Sequence, residues 1–564
     1  MNPKFSTVLT AITATTILPT TVAIAADKTD TKRPNIIILQ ADDMGYDDMS
    51  LQGNQCVYTP NLDSMAQYAV RFDNFYVHSV SAPTRASLIT GRHFLRTGIS
   101  GVHAGRDFLN LDEVTIAEAF KQAGYTTGMW GKWHSGKTSG YYPWQRGFDE
   151  AFMADLYKYR NNKGLLNGKE HSTEGWVDAV IADMAIDFIK ENKDEPFFAY
   201  IPFLSPHGIW DAPEEYVEQK MAQGQDRNFA TLNSMIDHLD VQIGKVLSAV
   251  EKEGLLDNTI IVFLSDNGPI HSVGTNIKLT SEEWAQRNPS QYRGNKGQNF
   301  DNGIHSPLFV YWKGHFENAT NSSLVAVYDI FPTLCDVANV DIPKEAKKMD
   351  GISFKKVLQN PTITDKDRTI YISQWTPFFK YHDTNNKNQA LPLTVERRKS
   401  IDPEMQMIGL HKGDYKVLFN QWQEDSLALW NLKDDYKESN NLYANGTDED
   451  RKLTLKYRKE VMKWYQGILD SKESYQMPTF QLGYGDDTKT QIMCYAPYVL
   501  SEGLINDNLA LVGFDKAGEH SEYKVNVISE GQYSIALKAS NEFKGKALLH
   551  DKNSKKPHKY MKFN

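Results

Sequence analysis

Cysteine is scarce in this sequence, whose 564 residues include only Cys56, Cys335 and Cys494. Three widely separated cysteines cannot build a disulfide framework and do not match the spacing of a zinc site, so we expect buried free thiols. An excess of positive charge is lacking as well, because 71 acidic residues outnumber 62 basic ones. This balance argues against nucleic-acid binding, and any anionic ligand must be attracted by a local cluster of cations.

A long apolar run that would span a bilayer is also lacking, since the N-terminal stretch up to Ile24 is rich in threonine and interrupted by Pro19. Lys4, this stretch and the small residues Ala23 and Ala25 instead predict a signal peptide over residues 1–25. We expect no transmembrane anchor, because the stretch is polar and broken by Pro19, and no lipid anchor, because no cysteine lies near the cleavage site. The prediction is a periplasmic or secreted protein.

What the sequence does contain is a long alternation of strand-like and helix-like segments. Between residues 26 and 360 this pattern predicts one large α/β domain, with a mixed, mostly parallel sheet flanked by helices. From 361 to 470 the pattern changes to a hairpin over 407–419, a strand over 427–432 and a helix over 451–469. We expect a smaller antiparallel α+β subdomain there.

Residues 471–564 predict a short β-rich appendage. Within it, apolar residues alternate with polar ones on both sides of the turn signal Glu530-Gly531. The alternating positions are Tyr523, Val525 and Val527 before the turn, and Tyr533, Ile535 and Leu537 after it. We therefore expect a β-hairpin at this place.

Acidic residues follow two apolar segments that we expect to be central strands. Asp42-Asp43 follows the strand that begins near Asn35, and Asp266-Asn267 follows residues 259–264. Open α/β sheets bind their ligands at the carboxyl ends of such strands. Adjacent carboxylates repel each other unless a cation intervenes, and oxygen ligands suit Ca²⁺ or Mg²⁺. We expect a cation site, and the alternative is a pair of solvated acidic turns.

A serine, a proline and an arginine stand close together in Ser81-Ala82-Pro83-Thr84-Arg85, and the segment ends in Thr90-Gly91-Arg92. If a helix begins here, Arg85 lies one turn after Ser81 and places a positive charge beside it. That arrangement suits an anionic substrate. The alternative is that Ser81 is only the N-cap of the helix.

Three further segments place cations or histidines after predicted strands or in turns. Gly131-Lys132-Trp133-His134 follows a strand, and in an extended segment Lys132 and His134 would share one face. Ser205-Pro206-His207 follows a second strand, and Arg293-Gly294-Asn295-Lys296-Gly297 is rich in glycine. The pair of Lys132 and His134 alone is more often structural than functional.

The Ser81 segment resembles the signature of the type I sulfatases of the alkaline phosphatase superfamily, which reads Cys or Ser, any residue, Pro, Ser or Thr, Arg. The Asp42, Lys132, His207, Asp266 and Lys296 segments occur in the order of that family, over about residues 33–470. The resemblance implies an alkaline-phosphatase-like fold. It also implies that Ser81 is oxidised to formylglycine, and the serine is similar to a bacterial variant matured by a radical enzyme before export.

The resemblance further implies a role for each site residue. A Ca²⁺ ion, in preference to Mg²⁺, would be held by five side chains: Asp42, Asp43, Ser81, Asp266 and Asn267. Positive charge for the sulfate would come from Lys132, Lys296 and Arg85, and Arg85 would also position the nucleophile. Protons would pass through three side chains: Asp266 would accept one from the nucleophile, His207 would donate one to the leaving group with help from Lys296, and His134 would accept the last.

One segment departs from the family pattern. Where relatives read Glu-Gly-Gly-Ile-Arg, this chain reads Asp301-Asn302-Gly303-Ile304-His305. The residues that surround Lys296 therefore cannot be carried over from the family pattern.

Three functions remain in competition on the sequence. The first is hydrolysis of sulfate esters on a sulfated polysaccharide or oligosaccharide; the second is hydrolysis of phosphate or phosphonate esters on the same fold; the third is a catalytically silent glycan-binding protein. Aromatic segments that would either stack on sugar rings or pack in the core are 141–144, Trp210 and 375–382. The sugar and the sulfated position are not readable from the sequence.

Overall fold

The computed structural model describes residues 33–103, 105–274, 277–374, 398–421, 427–501, 503–506, 510–538, 546–550 and 557–562. Within these ranges, none of the helices combines the length and the apolar character that crossing a bilayer requires. Cys56 and Cys335 are buried, as expected, but Cys494 is partly exposed.

The first twelve strands build a ten-stranded sheet and one small hairpin. In chain order they are β1 (Asn35–Ala41), β2 (Val70–Tyr76), β3 (Thr126–Gly131), β4 (Glu150–Met153), β5 (Lys163–Leu166), β6 (Lys169–Ser172), β7 (Phe197–Pro202), β8 (Thr259–Ser265), β9 (Ser272–Val273), β10 (Ile277–Lys278), β11 (Leu308–Tyr311) and β12 (Ala319–Ala326). The order across the large sheet is β12-β2-β11-β8-β1-β7-β3-β4-β5-β6, and β9 pairs with β10.

The centre of the sheet is parallel and completely buried. β1 lies between β7 and β8 and is parallel to both. Successive side chains of a strand point to opposite faces, so Ile36 and Ile38 enter one hydrophobic core while Ile37 and Leu39 enter the other. A strand buried on both faces has the continuous apolar sequence that β1 shows. The mixed, mostly parallel sheet expected from the sequence is confirmed, with β11 and β5 as antiparallel members.

Twelve α-helices flank the sheets within the described ranges. They are α1 (Pro60–Tyr68), α2 (Ser81–Thr90), α3 (Ile116–Gln122), α4 (Val177–Glu191), α5 (Glu214–Ala222), α6 (Arg227–Lys252), α7 (Ser281–Arg287), α8 (Asp301–Ile304), α9 (Ile330–Ala338), α10 (Lys355–Gln359), α11 (Leu442–Asn445) and α12 (Asp448–Asp470). α1, α4 and α6 bury their apolar sides on one face of the large sheet. α2, α3 and α9 cover the other face.

A second sheet of four antiparallel strands follows, as expected for the C-terminal part. Its strands are β13 (Thr369–Ser373), β14 (Ile408–Lys412), β15 (Tyr415–Phe419) and β16 (Leu427–Asn431). Val461 and Tyr465 of α12 pack in the same hydrophobic core as this sheet and as α2 of the large domain. The core is therefore continuous between the two sheets.

The described residues after α12 contain eight short strands joined by irregular segments: β17 (Thr479–Leu482), β18 (Val499–Leu500), β19 (Ile505–Asn506), β20 (Leu511–Val512), β21 (Ser521–Glu522), β22 (Lys524–Val527), β23 (Lys546–His550) and β24 (Pro557–Lys562). The hairpin predicted around Glu530-Gly531 is wrong. β22 pairs in parallel with β17, and residues 533–537 form no strand. We attribute this pairing of β22 with β17, and not with residues 533–537, to Phe480 of β17, which lies in a buried cluster with Phe108 and Tyr141.

Candidate active site

The candidate site lies where the central parallel strands end. Ala41 of β1 pairs with Ser265 of β8, so Asp42 and Asp266 leave neighbouring strands at the same level. The amide of Asp43 donates to Asp266 Oδ1 at 3.1 Å, which ties the two turns together. Lys132 follows β3 directly, and its amide donates to Pro202 O, the last residue of β7. The sheet register therefore gathers residues that are far apart in the chain.

Ser81 is the first residue of α2 and its side chain faces these carboxylates. The residue is 2% exposed. Its Oγ lies 2.6 Å from Asp266 Oδ2 and 3.1 Å from Asp42 Oδ1 and accepts a hydrogen bond from Lys132 Nζ at 2.9 Å. The N-cap of α2 is Val80. The alternative that Ser81 only caps the helix is therefore wrong.

Arg85 is buried one helical turn after Ser81, where the spacing predicted it. Its Nη2 donates to Asp266 Oδ2 at 2.7 Å, the same oxygen that contacts Ser81 Oγ. Burial alone would lower the pKa of Arg85, but Asp266, Tyr200 and Asp42 together more than compensate and raise it. Arg85 thus acts on Ser81 through the carboxylate they share.

Two lysines neutralise the paired aspartates. Lys132 Nζ lies 2.6 Å from Asp42 Oδ2, and Lys296 Nζ lies 2.6 Å from Asp43 Oδ1. Burial would raise the pKa of Asp42, but Lys132, His207 and Arg85 together lower it to about 2. Burial lowers the pKa of Lys132. At Lys296 the charges of Asp43, Asp42 and Asp266 together outweigh burial and raise the pKa. The carboxylates are therefore ionised and their charge is balanced by side-chain cations.

The donor set fits a hard cation. Asp43 Oδ2 and Asn267 Oδ1 are buried and have no hydrogen-bond partner among the described residues. Donor atoms of Asp42, Asp43 and His207 lie within 4.8 Å of one another. Buried oxygens without partners are costly, and a calcium or magnesium ion takes such carboxylate and amide oxygens as ligands. Two oxygen atoms at the strand ends, Asp43 Oδ2 and Asn267 Oδ1, are therefore available to bind a metal ion.

A close approach of two loops brings Lys296 to this place. The amide of Gly268 donates to Gly303 O at 3.0 Å, and the amide of Lys296 donates to Pro269 O at 2.9 Å. A Cβ atom at Gly268 would overlap the carbonyl oxygen of Asn302. Glycine is needed here because any side chain would push the two loops apart.

His207 stands on the other side of the paired aspartates. Its Nε2 lies 3.7 Å from Asp43 Oδ2, and its Nδ1 contacts the carbonyl oxygen of Gly208. Tyr159 Oη donates to Leu204 O at 3.0 Å and to the carbonyl oxygen of His207, which fixes the loop. Burial lowers the pKa of His207.

His134 makes its contacts apart from Ser81 and Lys132. β3 ends at Gly131 and His134 has a φ of 57°, so the extended geometry that would align Lys132 with His134 is absent. The prediction of an extended segment is wrong, although the charge of Lys132 still adds to burial in lowering the pKa of His134. His134 Nε2 instead hydrogen-bonds to Val102 O at 2.9 Å, and its buried Nδ1 has no partner among the described residues. Burial lowers its pKa well below the ordinary value.

The structure gathers nine of the ten predicted side chains into one set of contacts, which we call the pocket: Asp42, Asp43, Ser81, Arg85, Lys132, His207, Asp266, Asn267 and Lys296. The tenth, His134, lies at its side. Asp301 of the departing segment binds Lys416 Nζ at 2.6 Å, and His305 Nε2 bonds to Asp73 O at 2.7 Å. Neither makes a hydrogen bond or ion pair with a pocket residue.

Sequence reasoning missed the tyrosines beside His207 and overrated other aromatic residues. Tyr157 and Tyr159 lie in a loop with no motif, so only their aromatic character gave a signal. Tyr141 packs in the core against Phe108, and Trp210 is buried. The segment 375–382 lies outside the described residues.

Comparison with known proteins decides the family. A family model described as sulfatase matches residues 34–340, more than half of the chain, and a model described as N-sulphoglucosamine sulphohydrolase, C-terminal, matches residues 295–465. The chain belongs to the sulfatase family. It is a sulfuric ester hydrolase of the alkaline phosphatase superfamily.

Individual sulfatases are similar over most of their length. Human arylsulfatase A is 28% identical over 374 residues, which is 60% of this chain and 70% of that protein. The structure of Ps i-CgsB in complex with k-i-k-neocarrahexaose has a TM-score of 0.65 at 23% identity and covers 79% of this chain and 95% of that one. The structure of BT4656 in complex with its substrate D-glucosamine-2-N,6-O-disulfate has a TM-score of 0.57 at 22% identity, with 78% and 99% covered. The two structures establish the sulfatase fold for this chain.

Proposed function

We propose that this sulfatase hydrolyses sulfate esters of saccharides with a formylglycine made from Ser81 and a Ca²⁺ ion at the pocket. The observation that carries the proposal is the environment of Ser81 Oγ, which lies within 3.1 Å of two carboxylates and of the Lys132 ammonium group. An oxidised Ser81 would hold its reactive oxygens at the same place. The serine-type maturation, by a radical enzyme before export, is part of the proposal.

The contacts of Ser81 speak against catalysis by the unmodified serine. A serine nucleophile needs a neighbouring base, commonly a histidine that a third group orients. No histidine hydrogen-bonds to Ser81 in the described chain; its neighbours are two carboxylates and a lysine. The hydrate of an aldehyde has a second hydroxyl, and deprotonation of this hydroxyl expels the sulfate after the first has attacked. A sulfated serine has no such hydroxyl.

Ligands for the cation are the oxygens of Asp42, Asp43, Asp266 and Asn267, with the oxidised Ser81. When bound, Ca²⁺ would draw negative charge from the sulfate oxygens. Calcium is preferred to Mg²⁺ because the set offers many carboxylate oxygens and no small octahedral cage. The three carboxylates and the three cations Lys132, Lys296 and Arg85 cancel formally, so a bound dication makes the pocket positive and favourable for an anionic ester.

Each side chain of the pocket then has its own role in the reaction. Asp266 Oδ2, 2.6 Å from Ser81 Oγ, accepts the proton of the attacking hydroxyl, and Arg85 keeps this carboxylate oriented. Lys132 and Lys296 orient the sulfate oxygens and stabilise their charge. His207 donates a proton to the departing alcohol with help from Lys296. His134, with its unpartnered Nδ1, accepts the proton of the second hydroxyl of the sulfated hydrate. The bond from carbon to the sulfated oxygen then breaks, so that sulfate leaves and the aldehyde is restored.

The substrate class and the location of the enzyme are part of the proposal. A saccharide ester is supported by the two similar structures, one described with a neocarrahexaose and one with a disulfated glucosamine. The signal-like residues 1–25 support export to the periplasm or the medium. We further propose that residues 26–360 form the catalytic domain, with 361–470 as its subdomain and 471–564 as an appendage.

The mass of the peptide that contains Ser81 tests the mechanism. We expect loss of two hydrogen atoms at Ser81 when the chain is made together with a serine-type maturase, and hydrolysis of 4-nitrophenyl sulfate or D-glucosamine-2-N,6-O-disulfate only by that preparation. A chain made without the maturase is the matched control and should be unmodified and inactive. Full activity of an unmodified chain would overturn the proposed nucleophile.

A further inference from the structure

Tyr157 stands at the edge of the pocket on a loop that is tied to His207. The loop joins β4 to β5, and Asn162 Nδ2 braces it by donating to Asp155 O and Lys158 O, both at 2.8 Å. Two residues after Tyr157, the buried Tyr159 bonds to the carbonyl oxygen of His207. The position of Tyr157 is therefore set by the same contacts that set the catalytic histidine loop.

The ring of Tyr157 lies beside the ring of His207 but remains open to solvent. The two ring centroids are 5.2 Å apart with an angle of 49° between the planes. Tyr157 is 46% exposed, and its hydroxyl makes no hydrogen bond with the described residues. Burial raises the pKa of Tyr157, and the charges of Asp42 and Asp43 add to this effect. The phenol thus faces the charges of the pocket.

The backbone of Tyr157 is strained, with a φ of 64°. A bulky residue with this left-handed conformation costs free energy, and such strain concentrates at ligand-binding sites. Asp43, with a φ of 66°, and His134, with a φ of 57°, are the other two strained residues at this site. The ring of Tyr157 belongs to none of the described hydrophobic cores, and the one aromatic contact found for it among the described residues is with His207.

We propose that Tyr157 is the platform on which the ring of the leaving group packs while His207 protonates its oxygen. The inference rests on the proposed function, since it concerns the alcohol part of the same ester. An exposed aromatic face beside the proton donor suits a sugar or phenyl ring, which presents an apolar face to it. Tyr157 would select esters whose alcohol carries a ring and would add nothing to the binding of sulfate itself.

The test separates the ring of the substrate from its sulfate. Tyr157→Asn removes the aromatic ring and keeps a residue that tolerates positive φ, and Tyr157→Phe keeps the ring. With matured enzyme and the better hydrolysed of 4-nitrophenyl sulfate and D-glucosamine-2-N,6-O-disulfate, we expect KM to rise about tenfold in Tyr157→Asn and to stay within about twofold of wild type in Tyr157→Phe. The inhibition constant of inorganic sulfate should be unchanged in both.

Thermal stability and a control variant exclude a structural role. Tyr157→Asn should unfold at the wild-type temperature or above it, because strain is relieved and little buried surface is lost. The control Tyr58→Asn removes a tyrosine that is 68% exposed and should leave KM unchanged. An unchanged KM in Tyr157→Asn, or a parallel rise of KM and of the sulfate inhibition constant, would overturn the platform. A matured wild-type enzyme that hydrolyses neither ester would overturn the proposed function itself, and the platform with it.

Discussion

Two groups of buried charges in this sulfatase are built from the same kinds of side chain and serve different ends. One is the pocket at the strand ends. The other, which we call the interface cluster, consists of Asp301 of α8, Lys416 of β15 and Glu438 after β16. All three residues of the interface cluster are almost completely buried. The cluster links the large domain to the four-stranded sheet.

The interface cluster is closed upon itself. Lys416 Nζ lies 2.6 Å from Asp301 Oδ1 and 2.7 Å from Glu438 Oε1. The amide of Asp301 donates to Glu438 Oε2 at 2.8 Å, and Tyr76 Oη donates to Asp301 Oδ2 at 3.1 Å. Glu438 Oε1 has no partner with hydrogen-bond geometry, but it is paired with the Lys416 cation. In contrast, Asp43 Oδ2 and Asn267 Oδ1 of the pocket lack a hydrogen-bond partner among the described residues and lie at the strand ends. Buried charges that pair with one another hold parts of a protein together. Buried charges with unpaired oxygen atoms can bind a cation or another ligand.

The largest difference between the pocket and the interface cluster should come from removing the nucleophile. Ser81→Ala in the pocket should lower kcat by about 10⁴-fold or more, since the groups of a covalent mechanism act as a unit. The same variant should unfold at the wild-type temperature, because the carboxylates keep their lysine partners. Hydrolysis of 4-nitrophenyl sulfate and a thermal melt measure the two effects. Ser248→Ala on the exposed side of α6 is the control, and residual activity above one hundredth of wild type (about 2.7 kcal/mol) would contradict the prediction.

Removing the cation of the interface cluster should instead lower the stability of the fold. Lys416→Met leaves two buried carboxylates without their cation and should cost about 3–5 kcal/mol of unfolding free energy. Urea unfolding measures this cost. The exposed Lys433→Met is the matched control and should change stability by less than about 0.5 kcal/mol. Equal effects of the two substitutions would show that Lys416 does not hold the sheets together.

Withdrawing the divalent cation should affect only the pocket. Treatment of the matured enzyme with a chelator should abolish activity, and Ca²⁺ at a hundred times its dissociation constant should restore it and add about 2.7 kcal/mol of stability. Asp43→Asn should lose most of this stabilisation because it removes a carboxylate ligand, and the exposed Asp183→Asn should keep it. Activity and melting temperature, measured against added Ca²⁺ and Mg²⁺, check the prediction. A calcium response preserved in Asp43→Asn would place the ion elsewhere.

The smallest expected effect, when taken per pH unit, is a pH dependence of the interface cluster. Burial raises the pKa of Glu438 to about 7 from its ordinary 4.5. Because the folded state holds this proton more tightly than the unfolded state, the contribution is complete below about pH 4.5 and is lost as the pH rises through about 7. Its slope is at most about 1.4 kcal/mol per pH unit. Glu438→Gln should remove this slope from urea unfolding measured between pH 4.5 and 7.5, and an identical slope in the variant would contradict the assignment.

The pocket could be anticipated from the sequence because its residues stand at the ends of apolar strands and in motifs with a family order. The strand ends marked Asp42, Asp43, Asp266 and Asn267 as candidates, and the resemblance to the family favoured a site over solvated turns. The same resemblance singled out Ser81 and Arg85. The interface cluster had no such signal. Asp301 and Lys416 are 115 positions apart, and only the packing of one sheet on the other makes them partners.

Local patterns failed where a non-local partner decided the outcome. The alternation in 523–537 is that of a hairpin, yet β22 pairs with β17, which is held by Phe480 in the main body. Lys132 and His134 look like neighbours on a strand, yet the strand stops at Gly131. Strand pairing and the exact end of a strand depend on contacts that periodicity does not contain.

The sequence alone determined which chemical groups the protein carries, at which strand ends they stand and to which family their order belongs, because side-chain identity and apolar periodicity are local properties. The tertiary structure decided that Ser81 Oγ lies 2.6 Å from a carboxylate 185 positions away, that Tyr157 is strained beside His207, and that Lys416 neutralises Asp301. These are distances between remote segments. They are fixed only when the register of the parallel sheet and the burial of charge are satisfied together.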